Sequence, residues 1–141
     1  MAFFRIILLS LILFTACDYH EPKPAERAEL IAGTNRFGKT YQINKIEVEL
    51  GELRPNRCIT DNFITYFPNG SYEINEGATK CDPSDDPAIS GTWQLINDEL
   101  LVITFRDSTQ RWDILNLSKN SHSILSDFKE GSRIYTLSSS N

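Results

Sequence analysis

Histidines, basic residues and long apolar runs are all scarce in this chain of 141 residues. Two histidines are present, and 14 lysines and arginines face 19 aspartates and glutamates, for a formal net charge of −5. This acidic balance argues against a nucleic-acid partner, which normally requires a basic face. The sequence has no Gly-x-Ser-x-Gly pattern, no histidine–carboxylate zinc pattern and no glycine-rich phosphate loop. We therefore expect no enzymatic activity, no cofactor and no metal site.

The one pronounced apolar run lies near the N-terminus. Residues 6–14 are apolar apart from one serine, follow a single arginine and precede two small residues. As a helix this run extends about 14 Å, about half of a bilayer core of about 30 Å, so it is too short to span a membrane. The order of charge, apolar run and small residues predicts a signal peptide over residues 1–16.

A cysteine follows directly after this predicted signal peptide. Residues 13–17 read Leu-Phe-Thr-Ala-Cys, which resembles the lipobox of bacterial lipoproteins. The resemblance implies that Cys17 carries a diacylglycerol lipid, with acyl chains such as palmitate, after export. The protein would then be anchored to a membrane of the bacterial cell envelope and face the periplasm or the cell surface. The alternatives are an ordinary signal peptide with a chance cysteine beyond it, or a buried hydrophobic helix.

The remaining chain divides into a short leader and one domain. We expect residues 17–37 to hold the lipidated cysteine, a tether with two prolines, and a short helix over residues 25–32 that ends at Gly33. Residues 38–141 show the period-two alternation of β-strands. In the first strand the parity of the apolar positions changes near residues 44 and 45, which predicts a β-bulge.

Eight strands can be counted in this domain. Residues 68–70, Pro-Asn-Gly, and residues 97–99, Asn-Asp-Glu, predict hairpin turns between neighbouring strands. The predicted strands cover residues 40–50, 62–67, 71–75, 91–96, 100–105, 110–115, 122–128 and 133–137. Closing such a meander into an all-β, antiparallel up-and-down barrel removes its exposed edges. A flattened sandwich of the same strands is the alternative.

Several of these segments resemble, in their order and spacing, the lipocalin-like domains of bacterial lipoproteins. The matching segments are Tyr41-Gln42-Ile43, Phe67-Pro68-Asn69-Gly70-Ser71-Tyr72, Gly91-Thr92-Trp93, Leu100-Leu101-Val102-Ile103 and Trp112-Asp113-Ile114-Leu115-Asn116-Leu117. The resemblance covers about residues 38–137 and implies a barrel with an interior for side chains or one small ligand. The Gly-x-Trp found near the first strand of classical secreted lipocalins here comes mid-chain, so the ligand-pocket residues of those proteins are not carried over.

Two cysteines remain beside Cys17. Cys58 and Cys81 flank the predicted hairpin over residues 62–75, and exported proteins reside in an oxidising compartment. A disulfide between them would stabilise the fold by about 3 kcal/mol. Two free thiols are the alternative.

An acidic segment follows Cys81. Asp82, Asp85 and Asp86 offer oxygen ligands that suit calcium, but the segment lacks the glycine and terminal glutamate of an EF-hand loop. We therefore expect a solvated loop, made rigid by its two prolines, rather than a metal site.

Large aromatic residues occur in most of the predicted strands. Such side chains either fill a barrel or line a cavity within it. The candidates for a ligand pocket are Tyr66, Phe67, Tyr72, Trp93, Phe105, Trp112 and Tyr135.

Two functions are consistent with these features. The first is a cell-envelope lipoprotein whose lipocalin-like barrel binds or carries a small hydrophobic ligand. The second is a non-catalytic interaction module, or a hydrolase inhibitor, that contacts an envelope protein through loops such as residues 76–90. An acidic protein would suit a basic target in that role.

Overall fold

The computed structural model describes residues 24–49, 51–128 and 131–139. The predicted signal peptide and Cys17 lie outside these residues. The described residues form the following helices and strands, numbered in chain order: α1 Pro24–Ala32, β1 Lys39–Val48, β2 Gly51–Leu53, α2 Arg57–Thr60, β3 Phe63–Tyr66, β4 Ser71–Asn75, β5 Ala88–Ile96, β6 Leu100–Phe105, β7 Ser108–Leu117, β8 Ser121–Phe128 and β9 Gly131–Ser139. In this part of the chain, no helix is long and apolar enough to cross a membrane.

The sheet closes into a barrel of eight strands. β1 and β3 to β9 pair with their neighbours in chain order, always antiparallel, and β9 returns to pair with β1. The predicted fold class, an up-and-down barrel with a short N-terminal helix, is therefore confirmed. The short β2 is an addition, because it pairs with residues 46–48 of β1 beyond the end of β3.

The bulge predicted in the first strand is present. The pairing of β1 with β9 shifts register between Ile43 and Lys45, and both Ile43 and Ile46 are withdrawn from solvent on either side of it. A second shift, between Ile114 and Asn116 of β7, was not predicted. It leaves Leu115 on the outside with 52% of its surface exposed.

The sequence pattern predicts some strands as shorter than they are and misses two short elements. β5 begins at Ala88 rather than at residue 91, because residues 88–90 continue the ladder opposite Glu73 to Asn75 of β4. β7 likewise begins at Ser108, where a two-residue turn follows β6. β2 and α2 were not predicted, because these short elements show neither a period-two nor a helical apolar repeat.

Gly91 is required by the packing inside the barrel. A Cβ added at Gly91 would lie 2.2 Å from the carbonyl oxygen of Thr104 and 2.7 Å from the ring of Tyr72. The missing side chain thus makes room for a tyrosine that is 1% exposed. The Gly91-Thr92-Trp93 segment therefore has a packing role in the core.

The two ends of the barrel differ. We call one the helix end, because α1 lies across it and its last residues, Ile31 and Ala32, are buried against the barrel core. Gly33, with φ +72°, ends α1 as predicted, and its amide donates to the carbonyl of Glu29 at 2.8 Å. The opposite end, which carries α2 and the connection over residues 76–87, is called the open end.

Candidate functional site

A cavity of about 190 Å³ lies inside the barrel on the side of the open end. Its wall is mostly aliphatic, with two aromatic rings and two polar side chains. The lining residues are Ile43, Ile64, Ile74, Gln110, Trp112, Ile124, Ser126, Tyr135 and Leu137. We call this space the cavity.

Strand register brings the cavity wall together. Ile64 lies opposite Ile74 across β3 and β4, and Trp112 lies opposite Ser126 across β7 and β8. β7, β8 and β9 each contribute two lining residues, which are two positions apart, as the alternation of side chains in a strand requires. Because of the bulge after Ile43, the apolar side chains before and after it, Ile43 and Ile46, both face the inside of the barrel.

A disulfide joins the two long segments of the open end. The bond between Cys58 of α2 and Cys81 of the connection 76–87 is present, as predicted, with the two Cα atoms 5.0 Å apart. Next to it, the amide of Thr79 donates to Oδ2 of Asp61 at 2.9 Å. A Cβ on Gly77 would lie 2.3 Å from the carbonyl oxygen of Asp61, so the two segments are in direct contact.

The acidic part of this connection folds as a local turn. Asp82 accepts hydrogen bonds from the amide and the hydroxyl of Ser84, at 2.8 and 2.6 Å, and these bonds lower the pKa of the Asp82 carboxyl. Asp86 pairs with Arg106 of the β6–β7 turn. In the part of the chain that the structure describes, no three histidine, cysteine or acidic side chains are grouped to hold a metal ion.

At the helix end, polar contacts hold α1 on the barrel. The hydroxyl of Tyr41 donates to the carbonyl oxygens of Leu30 and Ile31, at 2.9 and 3.0 Å, and so satisfies the last turn of α1. The ammonium of Lys39 also donates to the carbonyl of Leu30, at 2.9 Å. On the other side, the guanidinium of Arg27 donates to the carbonyl of Asp98 at 2.8 Å.

Three buried polar side chains lie between this end and the cavity: Tyr66, Tyr72 and His122, which we call the polar layer. They are at most 1% exposed, and the ring centroid of Tyr66 is 5.8 Å from that of His122 and 6.3 Å from that of Tyr72. The hydroxyls of Tyr66 and Tyr72 have no hydrogen-bond partner among the described residues, and neither has either ring nitrogen of His122. Each such buried atom costs about 1–3 kcal/mol when it is left unsatisfied.

Burial keeps the polar layer uncharged. It raises the pKa of Tyr66 well above its ordinary value and that of Tyr72 to about 12. Burial and, to a smaller extent, the positive charge of Lys39 together lower the pKa of His122 to about 4. At neutral pH, His122 therefore presents one nitrogen as a donor and the other as an acceptor.

The predicted aromatic candidates fall into separate places. Trp112 and Tyr135 line the cavity. Tyr66, Tyr72 and Trp93 are buried in the core toward the helix end, where Nε1 of Trp93 donates to the carbonyl of Phe67 at 2.9 Å.

Phe105 is partly buried against the same core, whereas Phe67 is partly buried next to Gly38 at the helix end. Whether any of the seven contacts a ligand stays a prediction. Sequence reasoning did not single out the aliphatic wall, although its residues carry the expected signal, the inward parity of each strand.

Comparisons with known proteins agree with this architecture. The crystal structure of a lipocalin-like protein from Bacteroides uniformis matches with a TM-score of 0.51 at 11% sequence identity, over 72% of this chain and 97% of that one. The fold is lipocalin-like. No family model and no curated protein matches the chain. The lipocalin-like barrel here combines a helix-covered end with a cavity that reaches toward the other end, an arrangement suited to binding a ligand in general.

Proposed function

We propose that this protein is an exported, lipid-anchored protein of the bacterial cell envelope whose barrel binds a small hydrophobic molecule in the cavity. The observation that carries the proposal is the cavity itself, whose wall contains five aliphatic and two aromatic side chains. Apolar walls with a few polar groups are typical of small-molecule sites. The role is binding and carriage rather than catalysis.

The volume of the cavity limits the size of the ligand. A cavity of about 150 Å³ lined by apolar side chains holds benzene in another protein. By that measure, 190 Å³ suits a compound of about eight non-hydrogen atoms. Drug-sized ligands occupy about 300–1,000 Å³, so a longer molecule would extend out of the cavity.

Filling the cavity is expected to abolish binding. Ser126 is buried in its wall, and a phenyl ring at this position would occupy much of the space. We expect p-xylene to bind the wild-type protein saturably and to bind the Ser126→Phe variant at least about tenfold more weakly. The new ring takes the space in which p-xylene would bury its apolar surface, which is the main source of its affinity. Calorimetry or ligand-observed NMR measures both affinities.

The matched control for this experiment is Ser90→Phe. Ser90 is an exposed residue of β5, so the same substitution adds a ring on the outside. The control should bind p-xylene as the wild type does. Equal affinities for all three proteins, or no binding to the wild type, would contradict a ligand site in the cavity.

The anchor is proposed at Cys17. The residue order before Cys17 supports it, and the disulfide between Cys58 and Cys81 is consistent with an oxidising compartment. Cells grown with a clickable palmitate analogue should label the wild-type protein and not the Cys17→Ala variant. A Cys81→Ala variant should keep the label. Absence of label on the wild type, or equal label on Cys17→Ala, would reject the anchor.

A second candidate function is an interaction module. The connection 76–87 is exposed over most of its length and is fixed to α2 by the disulfide, so it offers a stable surface with aspartates 82, 85 and 86. Such a surface fits a basic envelope protein, including a hydrolase that the module would inhibit. Co-precipitation from envelope extracts that is lost on neutralising these aspartates, together with an empty cavity, would favour this candidate.

A further inference from the structure

The polar layer lies next to the cavity, on the side of the helix end. On three strands, a residue of the cavity wall is two positions from a residue of the polar layer: Ile64 and Tyr66 on β3, Ile74 and Tyr72 on β4, and Ile124 and His122 on β8. Two residues along a strand span about 7 Å. A group that passes the isoleucines toward the helix end therefore reaches the level of the tyrosine and histidine side chains.

These atoms match one kind of ligand group. Two tyrosine hydroxyls and a neutral imidazole together offer several donors and acceptors and no fixed charge. A hydroxyl group, which both donates and accepts, complements such a set. A carboxylate does not, because burial of a charge without a paired cation is strongly unfavourable.

Two neighbouring polar groups of the helix end already have partners and do not compete for this role. The hydroxyl of Tyr41 is already engaged with the carbonyls of Leu30 and Ile31, and Nε1 of Trp93 with the carbonyl of Phe67. Four of the buried atoms without a partner among the described residues belong to the polar layer, and one more, Nε1 of Trp112, belongs to the cavity wall. A hydrogen-bonding ligand group would satisfy atoms that the described residues leave without partners.

We infer that the ligand of the barrel is a small amphiphile, an apolar ring or short chain with one neutral hydroxyl, and that this hydroxyl enters first and hydrogen-bonds with the polar layer. The inference rests on the function proposed above. The apolar part of the ligand then occupies the cavity, and its far end points toward the open end. Along β3, β4 and β8, the hydroxyl passes Ile64, Ile74 and Ile124 on its way to the polar layer.

A pair of probes with the same shape tests this inference. p-Cresol and p-xylene differ only by a hydroxyl in place of a methyl group, and both are of the size that suits the cavity. We expect p-cresol to bind the Tyr66→Phe/Tyr72→Phe variant about tenfold more weakly than the wild type, as loss of two net hydrogen bonds implies. The affinity for p-xylene should change by less than about twofold, since no apolar contact is removed.

Tyr41→Phe provides the matched control. It removes a hydroxyl at the same end of the barrel, but one that is already partnered, so both probes should bind as they do to the wild type. The double variant loses only two hydroxyls that have no partner among the described residues, so it should keep the fold. The single variant Tyr72→Phe repeats the comparison with a smaller change. The ¹⁵N shifts of the His122 ring should respond to p-cresol and not to p-xylene.

The outcomes separate the two proposals. If the wild type binds both probes and the double variant weakens both or neither, the hydroxyl does not reach the polar layer and this inference is overturned, while the cavity remains a ligand site. If the wild type binds neither probe, the proposed function itself fails.

Discussion

Replacing Cys58 and Cys81 together by alanine is expected to lower the free energy of unfolding by about 3 kcal/mol. The disulfide joins residues 23 positions apart and restricts the unfolded chain over that length. Such a loss is a large part of the stability of about 5–15 kcal/mol that is typical of single domains. Urea unfolding of both proteins under oxidising conditions measures the difference.

Reduction of the wild-type protein provides the control for the disulfide variant. Since both treatments remove the same cross-link, reduced wild type and the Cys58→Ala/Cys81→Ala variant should unfold at nearly the same urea concentration. The hydrogen bond from Thr79 to Asp61 still joins the two segments in the native state. A loss below about 1 kcal/mol would mean that residual contacts already restrict this loop in the unfolded chain.

Lowering the pH from 7 to 5 is expected to remove about 2 kcal/mol of stability through His122 alone. Burial, and then the charge of Lys39, lower the pKa of His122 to about 4 in the folded protein, against an ordinary value of 6.5. The unfolded chain therefore takes up a proton below about pH 6.5, which the folded protein does not accept until about pH 4. The contribution is complete above the unfolded pKa and is lost as the pH falls between these values.

Comparison with a His122→Phe variant isolates this effect from the titration of carboxylates. The rings of Tyr41 and Tyr66 face His122, with centroids at 4.5 and 5.8 Å, so phenylalanine keeps an aromatic contact. The difference in stability between the two proteins should change by about 2 kcal/mol from pH 7 to pH 5 in urea unfolding. A difference that stays constant with pH would mean that His122 is solvated or paired.

The sequence predicts the architecture of this protein better than its cavity. Period-two alternation and turn residues are enough to predict the eight strands and the bulge near Asn44. Helix-favouring residues followed by Gly33 are enough to predict the helix. These elements depend on local backbone preferences. The position of Cys58 and Cys81 on either side of one hairpin suffices for the disulfide. Short elements such as β2 and α2 depend on tertiary contacts of the open end, and no repeat in the sequence marks them.

The cavity depends on how completely side chains fill the barrel. Tyr66 and Ile64 share one face of β3, as Tyr72 and Ile74 share one face of β4, and parity alone does not distinguish their roles. In the structure, the tyrosines are buried in the same core cluster as Ile31 and Ala32 of α1, whereas the isoleucines line the cavity. Aromatic residues were predicted as pocket candidates because of their size, yet most of the cavity wall is aliphatic.

Methyl NMR on isoleucine-labelled protein tests the central claim, that the cavity is a ligand site, most directly. Ile43, Ile64, Ile74 and Ile124 line the cavity, whereas Ile134 faces the outside of the barrel, in a groove with Glu47 and Leu125. On titration with p-xylene, we expect saturable shifts of the methyl groups of these four cavity isoleucines and no shift of the Ile134 methyl group. Shifts confined to Ile134, or none at saturating probe, would contradict it.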